Sequence, residues 1–227
     1  FNLAREKVDS LKEYIIKAFK GKLQYDEFWA LKDVSFEVKR GDAVGLIGLN
    51  GSGKSTMLKV IARVLKPTKG KVEVNGTVAP LIELGAGFDF DLTGKENIYL
   101  NGALLGRSRK QMNEVVDDII EFSELAEFMD VPMKNYSMLS RLAFAIATSG
   151  SADILIVDEV LAVGDFLFQQ KCIDRIKGMM ANGTTVLFVS HSIEQVEEIC
   201  NKAVWIKSGE IFMQGDAKEV CSVYKQS

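Results

Sequence analysis

The chain has 227 residues, 47% of them hydrophobic and 26% charged, with a formal net charge of −3. That balance describes a globular protein of one large domain or two small ones and excludes a disordered chain. It also excludes a basic coat for wrapping nucleic acid, and the single histidine excludes a histidine-cluster metal centre.

Phe1 to Arg5 lacks the charged-then-apolar pattern of a signal peptide. Val8, Leu11, Ile15, Ala18 and Phe19 then fall on one face of a predicted helix, Val8 to Phe19, started by Asp9 or Ser10 and stopped by Gly21. Lys7, Lys12, Lys17, Lys20 and Lys22 surround that stripe, a composition that favours an anionic membrane surface. Ala30 to Val38 alternates like a strand. Ala43 to Ile47 is a short apolar strand that runs into a glycine-rich loop and a helix, Thr56 to Leu65. Asn75-Gly76 predicts a hairpin between Lys71–Val74 and Thr77–Leu81.

Thr93 to Ala147 reads as almost entirely helical, broken near Gly106-Arg107-Ser108 and Val131-Pro132. It contains the longest unbroken apolar run, Leu142 to Ala147, far short of the ~18 residues of a membrane-spanning helix. Strand–helix alternation then resumes through Ile154–Val157, Gln169–Ala181, Thr184–Ser190 and Ser192–Cys200. A final pair, Ala203–Lys207 and Glu210–Gln214, is joined by Ser208-Gly209. Such alternation at both ends predicts a parallel sheet with an inserted helical subdomain. Cys172, Cys200 and Cys221 have no C-x-x-C spacing and predict free thiols in a reducing compartment.

Three motifs carry chemistry. Gly48-Leu49-Asn50-Gly51-Ser52-Gly53-Lys54-Ser55 fits G-x-x-x-x-G-K-[ST] between a strand and a helix. Glycines let the backbone curl with its N–H groups facing phosphate oxygens, and the helix N-terminus adds positive potential. Lys54 would reach the β/γ-phosphates, Ser55 would ligate Mg²⁺, and Thr56 would add a phosphate contact. Asp158 and Glu159 end the apolar strand Ile154–Val157, where open α/β sheets gather ligands. Asp158 suits the hold on Mg²⁺, and Glu159 suits a general base polarising the attacking water. His191 ends another strand at the same edge, where its imidazole would contact the γ-phosphate or orient the water and Glu159. A Ser-His-Asp hydrolase is the competing use of a histidine, but no G-x-S-x-G elbow accompanies it.

Phosphate loop, helical insertion, Asp158-Glu159 and His191, in this order, resemble the nucleotide-binding subunit of an ABC transporter. Glu83-Leu84-Gly85-Ala86-Gly87-Phe88, Leu92-Thr93-Gly94-Lys95-Glu96-Asn97-Ile98, Arg141-Leu142-Ala143-Phe144, Asp158 to Asp165 and Phe168 to Cys172 resemble the subfamily that exports polysaccharides, O-antigens and teichoic acids. The resemblance implies an α/β P-loop NTPase of RecA-like core, with an antiparallel β subdomain and the helical insertion. The whole chain, 1–227, would be one ATPase domain: a helix region at 1–24, the nucleotide-binding core at 25–92 and 151–227, and the helical subdomain at 93–150.

The resemblance also implies ATP and Mg²⁺ as cofactors and a homodimer beneath a separate polytopic membrane permease. A lipid-linked glycan would be the substrate and nucleic acid would play no part. The protein would sit peripherally on the cytoplasmic face of the bacterial inner membrane. A soluble ABC ATPase uncoupled from transport is the alternative. By the same likeness Ala162 to Asp165 would cross the dimer interface, and Phe1 would stack on adenine, with Trp29 as the alternative stacker. The chain closes at Ser227, soon after the core, which predicts no added glycan-binding domain.

Two departures stand out. The usual glutamine between core and helical insertion is missing from Leu81 to Asp91, leaving Glu83 as the substitute near Mg²⁺. The subfamily's signature loop, Tyr-Ser-Ser-Gly-Met, is shortened to Tyr136-Ser137-Met138. Ser137 is then what remains of the group that would meet the γ-phosphate on the opposite subunit. Either the protein lacks a serine and a glycine here and hydrolyses poorly, or the natural chain carries both; the flanking residues favour the second.

Overall fold

The computed structural model describes residues 2–4, 25–82, 87–133, 139–158, 164–190 and 192–227. The expected N-terminal helix, and with it Phe1, lies outside the described residues, as do Glu83, Ser137, Glu159 and His191.

Strands β1 (Asn2–Ala4) and β2 (Tyr25–Glu27) form an antiparallel pair. The main sheet holds β3 (Ala43–Ile47), β4 (Val78–Leu81), β5 (Ile154–Asp158), β6 (Thr185–Val189), β7 (Lys202–Lys207) and β8 (Glu210–Asp216), in the order β4-β5-β6-β3-β7-β8. All neighbours are parallel except β7 and β8, which form a hairpin. Every residue of β3 and β6 is buried, as an apolar strand covered on both faces must be.

Helices account for the two cores. Helix α1 (Lys54–Ile61) sets Met57 and Leu58 on one face of the sheet, against Val44, Leu46, Ile156, Leu187, Val189, Val204 and Ile206. The opposite face carries the larger core, in which Ile47, Leu155, Val157 and Phe188 meet the remaining helices. Helices α2 (Gly94–Leu104), α3 (Arg109–Ser123) and α4 (Leu139–Thr148) lie between β4 and β5 in the chain. Both α2 and α3 start with capping boxes, Thr93/Glu96 and Ser108/Gln111, which satisfy two otherwise orphaned N–H groups each. Helices α5 (Phe166–Ala181) and α6 (Ile193–Ile199) alternate with strands, and α7 (Ala217–Lys225) follows β8.

Two local expectations change. Residues 31–38 do alternate, with Leu31, Val34, Phe36 and Val38 packed on the core, but the segment has no strand partner among the described residues. The Asn75-Gly76 hairpin does not form either. Val78–Leu81 pairs in parallel with β5, while Lys71–Val74 stays extended without a ladder. Asp153 explains the switch: its carboxylate accepts from the Thr77 N–H at 2.8 Å and from the Thr77 hydroxyl at 2.9 Å, docking the turn on the start of β5.

Candidate functional site

Because β3, β5 and β6 run parallel, their carboxyl ends share one edge. Val189 of β6 is level with Leu46 of β3 on one side and with Asp158 of β5 on the other. With strands about 4.8 Å apart, Asp158 therefore stands about 10 Å across the sheet from the strand that feeds the glycine loop. That is the crevice in which α/β sheets hold ligands.

The loop, residues 48–53, is bound tightly to its surroundings from behind. Gly48 has φ +147°, and a Cβ there would overlap the backbone carbonyl oxygen of Ile206 in β7. Gly53, with φ +111°, caps α1, and a Cβ there would lie 2.7 Å from the Ala30 carbonyl oxygen and 2.9 Å from Leu31. The β7–β8 turn adds a clamp: Gly209 N–H donates to Ser52 O at 2.9 Å, and Lys32 N–H donates to Gly209 O at 2.7 Å. Sequence reasoning found this turn but not its task, since nothing local in Ser208-Gly209 says what it touches.

With the loop's back against the protein, its outer side is open. Asn50, Gly51 and Ser55 are exposed, and Leu49 turns 72% of its side chain to solvent, so Leu49 contributes its backbone. Lys54 is 6% exposed. Its ammonium folds over the loop and donates to the carbonyls of Gly48 at 2.8 Å and Leu49 at 3.1 Å. Ser52 Oγ is buried without a hydrogen-bond partner among the described residues. The curled loop backbone, a poised ammonium and a helix N-terminus together form a receptor for a polyphosphate.

Asp158, half-buried at the end of β5, and Ser55, in the first turn of α1, supply hard oxygen donors. Among the described residues no three His, Cys, Asp or Glu side chains gather into a cage. Few protein ligands plus phosphate oxygens is the donor set Mg²⁺ takes. The cysteines are no competing nucleophiles. All three are buried, and desolvation pushes Cys172 up to about 12 and Cys221 up to about 11, leaving no thiolate at neutral pH.

Trp29 lies outside this crevice. It lines a groove of about 1660 Å³ between residues 28–40, α1 and residues 66–75, with the Lys69 ammonium 5.0 Å from its ring centroid.

Comparisons with known proteins agree with this geometry. The ABC transporter family model matches residues 31–162. The O-antigen export system ATP-binding protein RfbB of Klebsiella pneumoniae is 50% identical over 203 residues, covering 88% of this chain and 82% of the relative. The teichoic acids export ATP-binding protein TagH of Listeria innocua is 43% identical over 228 residues, covering 100% of this chain and 67% of the relative. Among solved structures, the ATP binding subunit of an ABC transporter superposes with TM-score 0.78 at 24% identity, covering 86% of this chain and 87% of its own. A dimeric post-hydrolysis state of the ATP-binding cassette MJ0796 with ADP and Pi gives 0.73 at 22% identity, covering 95% and 96%. The last two establish the fold.

Proposed function

This chain belongs to the ABC transporter family and is an ATP-binding ABC-type ATPase, and on that premise we propose that it powers a bacterial exporter of lipid-linked polysaccharide of the O-antigen or teichoic-acid type. The observation that carries the reading is the 50% identity, over 88% of the chain, to an O-antigen export ATP-binding protein. In this reading two copies work beneath a separate polytopic permease on the cytoplasmic face of the membrane. Among the described residues no helix is long and apolar enough to cross a membrane.

The division of labour follows the crevice. The N–H groups of residues 48–56 cradle the β- and γ-phosphates, and the Lys54 ammonium exchanges the Gly48 and Leu49 carbonyls for phosphate oxygens. Ser55 and Asp158 would hold Mg²⁺, with Glu83 near it, and the ion would supply charge neutralisation for the transferred phosphoryl group. Glu159, next after Asp158, takes a proton from the attacking water, and His191 orients that water or the γ-phosphate. Ser137 reaches the γ-phosphate of the opposite copy, and Phe1 stacks on adenine.

Co-purification tests the coupling. The tagged chain, expressed with its neighbouring genes and extracted in mild detergent, should bring down a polytopic membrane protein in equal amount. Its ATPase activity should rise when lipid-linked glycan is added to the reconstituted complex. A chain that hydrolyses ATP but never associates with a membrane protein would instead be the soluble ABC ATPase.

A further inference from the structure

The far end of α1 carries a surface that the crevice chemistry does not use. From Ser55 to Val72 the chain has five cations, Lys59, Arg63, Lys66, Lys69 and Lys71, and no carboxylate, although its net charge is −3. Lys54 and Ser55 open α1 at the crevice, and at about 1.5 Å per residue the helix carries the chain about 12 Å away from it. There the helix ends in a Schellman motif: the Arg63 N–H donates to Val60 O at 3.1 Å and the Val64 N–H to Lys59 O at 2.8 Å. Arg63 takes the left-handed conformation, φ 61°, in which such motifs usually place glycine. Its guanidinium then donates to the Val74 carbonyl oxygen at 2.7 Å, which closes residues 63–74 into one edge.

Two properties of this edge point to one kind of partner. Arg63, Lys66, Lys69 and Lys71 are all exposed. Lys71 pairs with Glu73 at 2.7 Å, but the two side chains are 83% and 71% exposed, so the pair is largely screened. Between the cations stand aliphatic side chains that are not packed away. Val64 is 65% exposed and Val72 43%, although a residue in Val64's place in the motif commonly packs back on the helix. Across the groove that Trp29 lines, Phe28 adds a ring that is 51% exposed, and residues 28–40 bring three cations against two carboxylates. At about 1660 Å³ this groove exceeds the roughly 300–1,000 Å³ of a pocket for one small molecule, and it suits an extended surface instead. Basic side chains interleaved with exposed apolar ones fit an anionic bilayer. The cations meet headgroup phosphates while valine and phenylalanine enter the boundary with the acyl chains. A purely acidic polymer would pair with the charge and leave the apolar side chains in water.

We propose that the edge at residues 63–72, with Phe28 across the groove, is a contact surface for anionic phospholipid, through which the chain touches the bilayer directly. This goes beyond the exporter reading, in which a separate permease provides the attachment, and it requires no permease. The other side of the sheet supplies the contrast. Helix α5 packs Phe168, Cys172, Ile173 and Ile176 into the core on the face opposite α1, and its Gly178 is exposed. A chain that lies on the bilayer by this edge turns Gly178 away from it.

The test sediments the full chain with vesicles of phosphatidylcholine holding about 30% phosphatidylserine, and with vesicles of phosphatidylcholine alone. The chain should bind the first and not the second, more weakly as salt is raised. Lys66→Gln, Lys69→Gln and Lys71→Gln should each weaken binding about fivefold, and together about a hundredfold. ATP Kd should stay within about twofold of the parent, because these positions are remote from the crevice. A dye reads the placement. Since Cys172, Cys200 and Cys221 are buried, Val64→Cys and Gly178→Cys each offer one reactive thiol for an environment-sensitive label. The label at position 64 should shift to shorter emission wavelength on anionic vesicles, and the label at position 178 should not. Undiminished binding by the triple variant, no shift at position 64, or equal shifts at both positions would overturn the proposal. So would equally tight capture by soluble polyglutamate, the mark of a protein-docking surface. Co-purification with a permease is scored separately, so the failure of either reading leaves the other standing.

Discussion

Gly48→Ala tests whether the phosphate loop is braced from behind. At φ +147° an L side chain is strained by about 1–3 kcal/mol. The added methyl would also overlap the Ile206 carbonyl oxygen and lie 2.9 Å from Ser52 Oγ. Ile206 yields little, because it pairs with Ile211 of β8 and follows Trp205, which pairs with Ile47 of β3. The loop must yield instead, and overpacking of that kind costs about 1–3 kcal/mol. Partial relaxation leaves a loss of about 2–4 kcal/mol, or a fall in Tm of about 5–15 °C in a domain of this size. Moving even one phosphate-facing N–H out of place forfeits a charge-assisted hydrogen bond of about 1.5–3 kcal/mol, which weakens ATP binding about tenfold to a hundredfold. Gly51→Ala provides the internal comparison. Gly51 has φ +75° but no atom within 4 Å of its would-be Cβ, so only the backbone cost of about 1–2 kcal/mol applies. Thermal melts and titration with a fluorescent ATP analogue should rank Gly48→Ala well below Gly51→Ala. Equal effects, or a Gly48→Ala Kd within about twofold of the parent, would refute the bracing.

The other predictions concern chemistry, sequence and acid stability. Glu159→Gln should retain ATP binding, slow phosphate release by about a hundredfold and accumulate an ATP-bound dimer on size exclusion, whereas Lys54→Ala should lose affinity in the same titration. If Tyr136-Ser137-Met138 is the natural sequence, the signature loop lacks donors worth about 3 kcal/mol each to developing charge. Inserting Ser-Gly after Ser137 should then restore turnover, and an intact mass already heavier by those two residues would show that the natural chain carries them. Burial works against the Asp42 carboxylate, but hydrogen bonds from the Lys202 ammonium and the Lys39 N–H, with the Lys202 charge, outweigh it and hold its pKa below the usual value. A lowered folded-state pKa gives stability that is present above the unfolded value near 3.9 and lost as pH falls through the folded one. Asp42→Asn should therefore lower Tm at pH 7 and flatten the acid limb of a Tm-against-pH curve.

Most of this fold is legible because its signals are local. Four apolar residues before Asp158, the glycine spacing after Ile47 and the breaks at Gly106 and Pro132 each specify an element without reference to the rest. The losses have one physical cause, which is that pairing partners are not local. Asn75-Gly76 is a sound hairpin signal, yet Val78–Leu81 gains more by joining a buried parallel sheet, steered there by Asp153, 76 residues away from Thr77. Helix α7 was missed although Asp216 caps it and Ala217, Val220, Cys221 and Tyr224 repeat at helical spacing. Arg141 drew notice only as part of a resemblance, for nothing in Arg141-Leu142-Ala143-Phe144 says that its guanidinium meets Asp165.

The phosphate loop and the chain beyond β5 are braced by different parts of the protein. The phosphate loop leans on the core itself, on Ile206, Gly209 and Ala30, none of which belongs to the helical insertion. Asp165, near where the described chain resumes after β5, instead pairs with Arg141, which does. Variants behind the phosphate loop should accordingly register first in Kd, because that is the half of the crevice they brace.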